Sequence, residues 1–551
     1  MSDAVSVSIP TGHTSNSGDW RQRCKRLLPV LIPWLVFIYA GINGVDFGQH
    51  WDEDDHLHNV RHSLETQTLL PTGGDSPIPD PQLKVGFYVY PSVLYWVVLG
   101  SAAPEIAANF DDVTRIKLLG FVTSQPFRLR VRAICVVISS LAIVWVYLAV
   151  LQWGGRWQEA LLAASILAGS WEISYHSRWI ATDTIVMQFA ALCIWLCIGA
   201  LDSPKGKNWT RYAAIAAGLA IGSKYTAGLL LIPVCLSVWF RGGRVWSICK
   251  HCLMAGAAFL ITTPGALIQP WTFMHWMNYM HRLYGTIGHY GYTVAGSGDH
   301  LRKIATYESI VLLSHWPLVA GSLFLFAILG ALLFCWRSRR LAALLLVFPI
   351  VYVLYFSSQR IMIARNLMVL SPFVAILCAR GLGSAVQAIK GKNAQGLTIA
   401  MIEAIVVGNL IFTVYASRTI RDAAHGIAYD VDQLRQEMTD HPRTRYDLTP
   451  EAMQLLRLAD PGLAARPAPQ SPEREVVIAC EGGGEHQAAW PANQWNLTMK
   501  QFGPYDVNFN YYPTWIGDRI VMLDMNVARS LPMRDVRQII RRRDADTRRS
   551  Q

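Results

Sequence analysis

The residues best suited to chemistry stand together early in the chain, as Trp51-Asp52-Glu53-Asp54-Asp55-His56. Four adjacent carboxylates repel one another and call for cations nearby. Such a carboxylate takes a proton from a hydroxyl, or helps hold a metal ion. The plainer use is a solvated loop, with Asp54 or Asp55 capping a helix that carries Leu57, Val60 and Leu64 on one face. Position favours chemistry, because the cluster directly follows an apolar run and carboxylates beside lipid are costly. His56, His58 and His62 come next. His58 and His62 share a helix face, but no H-e-x-x-H arrangement is present, so surface histidines are the simpler reading.

A second group is Ser177-Arg178-Trp179-Ile180-Ala181-Thr182-Asp183. Asp183 is placed to cap the following helix, and Arg178 to bind a phosphate or pair with an acid. Lys84 precedes Phe87-Tyr88-Val89-Tyr90-Pro91, while Arg360 and Arg365 bracket a turn between two apolar runs. Lys224 sits in Ser223-Lys224-Tyr225, between two short runs. Each of these cations can snorkel to headgroups, and together they can neutralise a lipid phosphate beside the acids.

The elements that must position these residues are membrane helices. The chain has 551 residues, 52% hydrophobic and only 16% charged; a soluble enzyme carries nearer a quarter charged. About eleven runs are apolar enough to span, near 28–46, 129–151, 158–176, 180–201, 211–223, 225–240, 247–268, 309–335, 341–357, 362–383 and 397–416. Gly86–Ala103 is apolar but holds Pro91 and many aromatics. If it lies on the membrane surface, Arg156, Lys205, Lys207, Arg211, Arg241, Arg244, Lys250, Arg337, Arg339, Arg340, Lys390 and Lys392 all share the side of Arg21–Arg26. The positive-inside rule favours that arrangement. It predicts a cytoplasmic N-terminus and an interfacial or re-entrant helix over Gly86–Ala103.

The expected organisation is a cytoplasmic segment 1–27, a membrane domain 28–416 with a first outer loop 47–127, and an outer tail 417–551. An aromatic, His-rich outer segment runs over about 269–306. The tail reads as a small α/β domain, with a helix over Thr449–Leu458, strands over Arg474–Cys480 and Arg519–Met525, and a basic disordered end. The fold class is thus an all-α polytopic membrane protein with a small α/β C-terminal domain.

Several classes drop out. The net charge of +11 lies in short clusters between apolar runs and forms no basic stripe, so nucleic acid is not a partner. Six of the ten cysteines fall in apolar runs, and Cys249-Lys250-His251-Cys252 lacks a second pair, so neither a disulfide framework nor a zinc site is expected. Walker, Rossmann and nucleophile-elbow motifs are absent.

The ordered set Trp51-Asp52-Glu53, Tyr90-Pro91-Ser92-Val93-Leu94-Tyr95, Arg178 with Asp183, Gly218–Tyr225, and Arg365-Asn366-Leu367 with Pro372 resembles membrane glycosyltransferases of the C-type fold. The nearest kinds are the bacterial relatives of protein O-mannosyltransferases and lipid A aminoarabinose transferases. The resemblance covers roughly 28–416. It implies transfer of a sugar from a polyprenyl-phosphate carrier to a lipid, glycan or protein acceptor, outside a bacterial cytoplasmic membrane. It matches the family's Asp-Glu pair to Asp52-Glu53, its second-loop acid to Asp183, and its Tyr-Pro segment to Tyr90-Pro91, where Ser92 replaces the usual second proline. Asp54 and Asp55 are additions to the common pattern, and no cofactor is implied, although the four acids leave a divalent metal open.

Chemistry assigns Asp52 as general base, with Glu53 orienting or sharing that role. Arg365, Lys84 and Arg178 face the leaving phosphate, with Tyr88, Tyr90 and Lys224 also lining the substrate. A single displacement inverts the anomeric centre. The competing class is a transporter or lipid flippase, which would instead place its charges along a path at mid-membrane.

Overall fold

The computed structural model describes residues 27–46, 51–68, 70–71, 87–108, 119–202, 206–288, 293–448, 453, 461–469, 474–480 and 536–539. Lys84 lies outside them, as do the strand expected over Arg519–Met525, the basic end of the tail and nearly all of the helix expected over Thr449–Leu458.

Helices stand at every apolar run named above. In chain order they are α1 (Leu31–Ile42), α2 (Trp51–Glu65), α3 (Val93–Ser101), α4 (Gln125–Gln152), α5 (Trp157–Ala168), α6 (Trp171–Ser177), α7 (Thr182–Asp202) and α8 (Gly206–Ser223). They continue with α9 (Leu231–Phe240), α10 (Val245–Thr262), α11 (Pro270–Arg282), α12 (Ser297–Thr306), α13 (Pro317–Arg337), α14 (Arg339–Ser357), α15 (Ser371–Ala388) and α16 (Lys392–Asp440). Among the described residues, 7 helices are long and apolar enough to cross a membrane, and Leu28–Ile42, Trp157–Ala168 and Tyr225–Phe240 are shorter apolar helices. The chain is an all-α polytopic membrane protein.

Four boundaries differ from expectation. The run 158–176 breaks after Ala168. Ser170 accepts from the Ile173 N–H at 3.3 Å and donates to the Leu312 carbonyl at 2.6 Å, which starts a new helix at Trp171. Asp54 and Asp55 do not cap α2, because that helix already begins at Trp51. Asp52, Glu53 and Asp54 therefore lie in its first turn, where the helix dipole favours negative charge, and Asp55 follows them. Asp183 likewise occupies the first turn of α7, not its cap. Finally, the last run belongs to a helix of 49 residues that passes unbroken through position 417.

Small residues let the helices approach closely. A Cβ at Gly218 of α8 would strike the Ala255 carbonyl of α10, and one at Gly222 would strike Thr262. Gly330 of α13 and Gly381 of α15 face each other's backbones in the same way. Helix α3 has 9 residues, about 13 Å, well short of the ~30 Å hydrocarbon core. It buries Val93, Leu94, Tyr95 and Val98 with Leu57 and Val60 of α2 and Val131 and Cys135 of α4. This agrees with an interfacial or re-entrant segment.

In the tail, β1 (Thr444–Leu448) pairs in parallel with β2 (Arg474–Cys480), which pairs antiparallel with β3 (Val536–Ile539). Strand β2 occupies the expected range.

Candidate active site

Four helix ends converge at one end of the bundle. Asp52 comes from the first turn of α2 and Asp183 from the first turn of α7. Lys224 follows the last residue of α8 in an extended conformation, φ −154° and ψ 126°, before a 3-10 turn over Tyr225–Leu230. That single extended residue ends α8 and sends its side chain across to α7. Arg365 and Asn366 lie in a 3-10 segment, Ala364–Leu370, leading into α15, where Pro372 sits in the first turn. No charge in this group stands in the middle of a helix.

Arg365 bridges the two acids. Its Nη1 is 2.8 Å from Asp52 Oδ2, and its Nε is 3.7 Å from Asp183 Oδ2. The Lys224 ammonium is bonded to Asp183 Oδ1 and donates to Asn366 Oδ1 at 2.5 Å. Tyr352 donates to the Asn366 carbonyl at 2.6 Å, fixing that segment. Two cations and two carboxylates thus share one buried cluster. Burial of charge is tolerated only with such pairing.

Glu53, next to Asp52, has a separate assignment. It is fully buried and takes both nitrogens of the Arg132 fork, Nε at 2.8 Å and Nη2 at 2.5 Å. The Ile180 N–H also donates to it at 3.0 Å, and Arg128 Nη1 lies 3.9 Å away. Arg132 further donates to the Val45 carbonyl at 2.7 Å and stacks over Trp179. Glu53 therefore ties together the α1–α2 link, α4 and the turn before α7. A base needs a reachable lone pair, and this carboxylate spends its oxygens on the protein's own groups. Arg128 and Arg132 were not singled out from the sequence, although arginines at the outer end of an apolar helix are a usable signal, since they are costly unless paired.

Tyr90 donates to Asp52 Oδ1 at 2.9 Å. Burial, and next the Asp52 charge, push its phenol well above the usual range, so it remains a donor. Tyr88 donates to Gln269 Oε1 at 2.7 Å, and its carbonyl accepts from Tyr225 at 3.0 Å. Its ring lies where a Cβ at Gly265 would be. Burial pushes the Tyr88 phenol up to about 12. Tyr88 is thus an anchor for the segment that delivers Tyr90, with Phe87 packed on Trp276 of α11. The aromatic, His-rich segment closes over the same end. Val294 donates to the Arg360 carbonyl at 2.8 Å, Arg360 Nη1 to the Thr286 carbonyl at 2.7 Å, and His300 Nδ1 lies 2.9 Å from the Gln359 carbonyl.

His56 stands one turn beyond Asp52 on α2, buried, its ring centroid 5.0 Å from that of Tyr90. Burial lowers its pKa to about 4, with Arg365 lowering it further and Asp52 opposing, so the imidazole is neutral near pH 7. Arg178 is buried, with Nη1 donating to the Gly44 carbonyl at 3.1 Å and its guanidinium over Tyr175. It holds the exit of α1.

The acids were also weighed as metal ligands. Among the described residues, no group of three His, Cys, Asp or Glu side chains is placed to hold a metal ion. Arg365 and Lys224 occupy the positions next to Asp52 and Asp183 that a cation would take. His58 and Asp55 are exposed, and His62 lies 3.7 Å from Glu65.

Residues 117–268 match the family model for dolichyl-phosphate-mannose-protein mannosyltransferase. That segment carries Arg132, Asp183 and Lys224. Among solved structures, the chain is similar to ArnT from Cupriavidus metallidurans bound to undecaprenyl phosphate, with a TM-score of 0.50 at 12% identity, covering 85% of this chain and 94% of ArnT. It is also similar to the oligosaccharyltransferase of Archaeoglobus fulgidus in the apo form, with a TM-score of 0.45 at 13% identity, covering 83% of this chain and 61% of that one. A search of curated protein sequences finds no match. The family model thus matches less than half of the chain, and the likeness to ArnT shows a shared fold.

Proposed function

We propose that the protein transfers a sugar from a polyprenyl-phosphate carrier to a hydroxyl-bearing acceptor, on the outer face of a bacterial cytoplasmic membrane. The observation that carries this reading is the meeting of Asp52 and Asp183 with Arg365 and Lys224 at one end of the bundle. The similar ArnT structure, which holds undecaprenyl phosphate, supports this donor class.

The leaving lipid phosphate gains negative charge as the glycosidic bond breaks, and fixed cations aimed at it stabilise that charge. Lys224 and Arg365 take this role. Asp52 accepts the proton of the attacking hydroxyl. Arg365 and Tyr90 hold the carboxylate in place until the anionic donor recruits Arg365. Asp183 keeps Lys224 and Arg365 oriented. Glu53 builds the floor of the site and does not share the base role. Direct attack from the face opposite the phosphate inverts the anomeric carbon. The positive-inside bias supports a cytoplasmic N-terminus and an outer tail.

The test is incubation of the purified protein with a panel of polyprenyl-phosphate sugars, following loss of sugar by mass spectrometry. Conversion of at least one donor, abolished in Asp52→Asn, is the expected result. Full activity in that variant would remove Asp52 as base, and no consumption of any donor would remove the transferase reading.

A further inference from the structure

His56 is the polar group of this cluster whose ring nitrogen remains unspent. Its Nε2 is buried without a hydrogen-bond partner, and an orphaned buried polar atom is a cost that proteins rarely carry. The residue is 3% exposed. It lies one helical turn from Asp52, so both project from one face of α2, and its ring packs on Tyr90, whose hydroxyl is bonded to Asp52. The cations lie on other elements, Lys224 after α8 and Arg365 before α15.

We infer that His56 is an acceptor-contacting residue, its Nε2 hydrogen-bonding a hydroxyl of the incoming acceptor beside Asp52. This rests on the transferase reading above and assigns one further contact within it. The choice of ligand follows from hydrogen-bond chemistry. A neutral imidazole nitrogen is either a bare acceptor or an N–H donor, depending on tautomer. A hydroxyl satisfies both forms, whereas a phosphate oxygen satisfies only the second. The phosphate already has two cations, Lys224 and Arg365, on other elements. A hydroxyl between Asp52 and His56, an acceptor's or a water's, has its proton directed to the carboxylate while the imidazole fixes its orientation, which is the positioning that makes attack effectively unimolecular.

The test uses the full-length protein with the lipid-linked sugar it consumes in the panel above. Glycerol and a serine/threonine-rich peptide serve as hydroxyl probes, with water as the competing acceptor. His56→Phe keeps the ring and its packing on Tyr90, and His56→Gln restores a polar group near Nε2. Polyprenyl-phosphate binding is read in parallel by native mass spectrometry. His56→Phe is expected to raise the KM for the hydroxyl probe, or lower transfer to it, by tenfold or more. Carrier binding should change less than twofold, and His56→Gln should recover part of the loss. Unchanged transfer in His56→Phe overturns the inference, as does an equal loss of carrier binding and transfer. If the unaltered protein binds polyprenyl phosphate yet transfers to neither probe while releasing sugar to water, acceptor recognition at His56 is refuted for simple hydroxyls. If it neither binds nor consumes any donor, the transferase reading falls and this inference with it.

Discussion

Asp52 and Glu53 are neighbours in sequence, on one turn of one helix, yet they belong to two different ion networks. Glu53 is enclosed by the Arg132 fork, a backbone N–H and nearby Arg128, in a bidentate arrangement with no exposure. Asp52 shares Arg365 with Asp183, at unequal distances of 2.8 and 3.7 Å, and takes its other bond from a tyrosine. A closed, bidentate pair holds backbone segments together. A shared cation can be redistributed when an anion arrives, because no carboxylate owns it. Two carboxylates of similar chemistry thus enter two kinds of network through the partners that surround them, and the proposed function makes the shared one the working site.

The largest effect should come from breaking the closed pair. Arg132→Ala leaves a buried, uncompensated carboxylate, which costs about 3–5 kcal/mol. The expected outcome is loss of folded protein, read as recovery from detergent extraction and as the thermal unfolding midpoint. A stable, fully active Arg132→Ala protein would reverse the roles drawn here.

Next is the shared network. Asp52→Asn should lower transfer about 10²–10⁴-fold, the usual contribution of a general base, while leaving the unfolding midpoint near that of the unaltered protein. Lys224→Met should lower turnover roughly 10²-fold, as for other losses of charge stabilisation, and weaken carrier binding as well. If Lys224→Met unfolds the protein as Arg132→Ala does, the contrast between the networks disappears.

Tyr90→Phe removes one bond to Asp52, worth roughly 1.5–3 kcal/mol for a charged partner. A loss of about tenfold in kcat is expected, with little change in KM for the donor.

The last effect concerns acid. His56 has a folded pKa of about 4 against 6.5 unfolded. Between those values the unfolded chain binds the proton and the folded chain does not, so stability falls as pH drops through this window. The loss reaches at most about 3 kcal/mol near pH 4, with Arg365 adding to the shift and Asp52 opposing it. His56→Phe should flatten that part of the pH–stability curve, measured by unfolding midpoints from pH 7 to 4.5. An unchanged curve would place the acid sensitivity in other groups.

Much of the site was legible before the structure. Asp52, Asp183 and Arg365 were singled out by type and by position at apolar boundaries, and they meet. Tyr90 was found through its Tyr-Pro setting, and Lys224 through the break between two short runs. Arg178 turns to the Gly44 carbonyl, a role that residue type could not reveal, because a guanidinium suits a carbonyl as well as a phosphate. Asn366 and His56 carry no charge pattern to mark them, and their place depends on packing.

The sequence by itself determined the membrane class, the approximate helices and the end of the bundle where charges gather, because apolar length and charge placement are local properties that need no partner. Only the tertiary structure decided that Glu53 closes on Arg132 while Asp52 shares Arg365 with Asp183. That choice depends on Arg132 and Arg365, about 80 and 310 positions away in the chain, and no local pattern encodes a pairing closed across such distances.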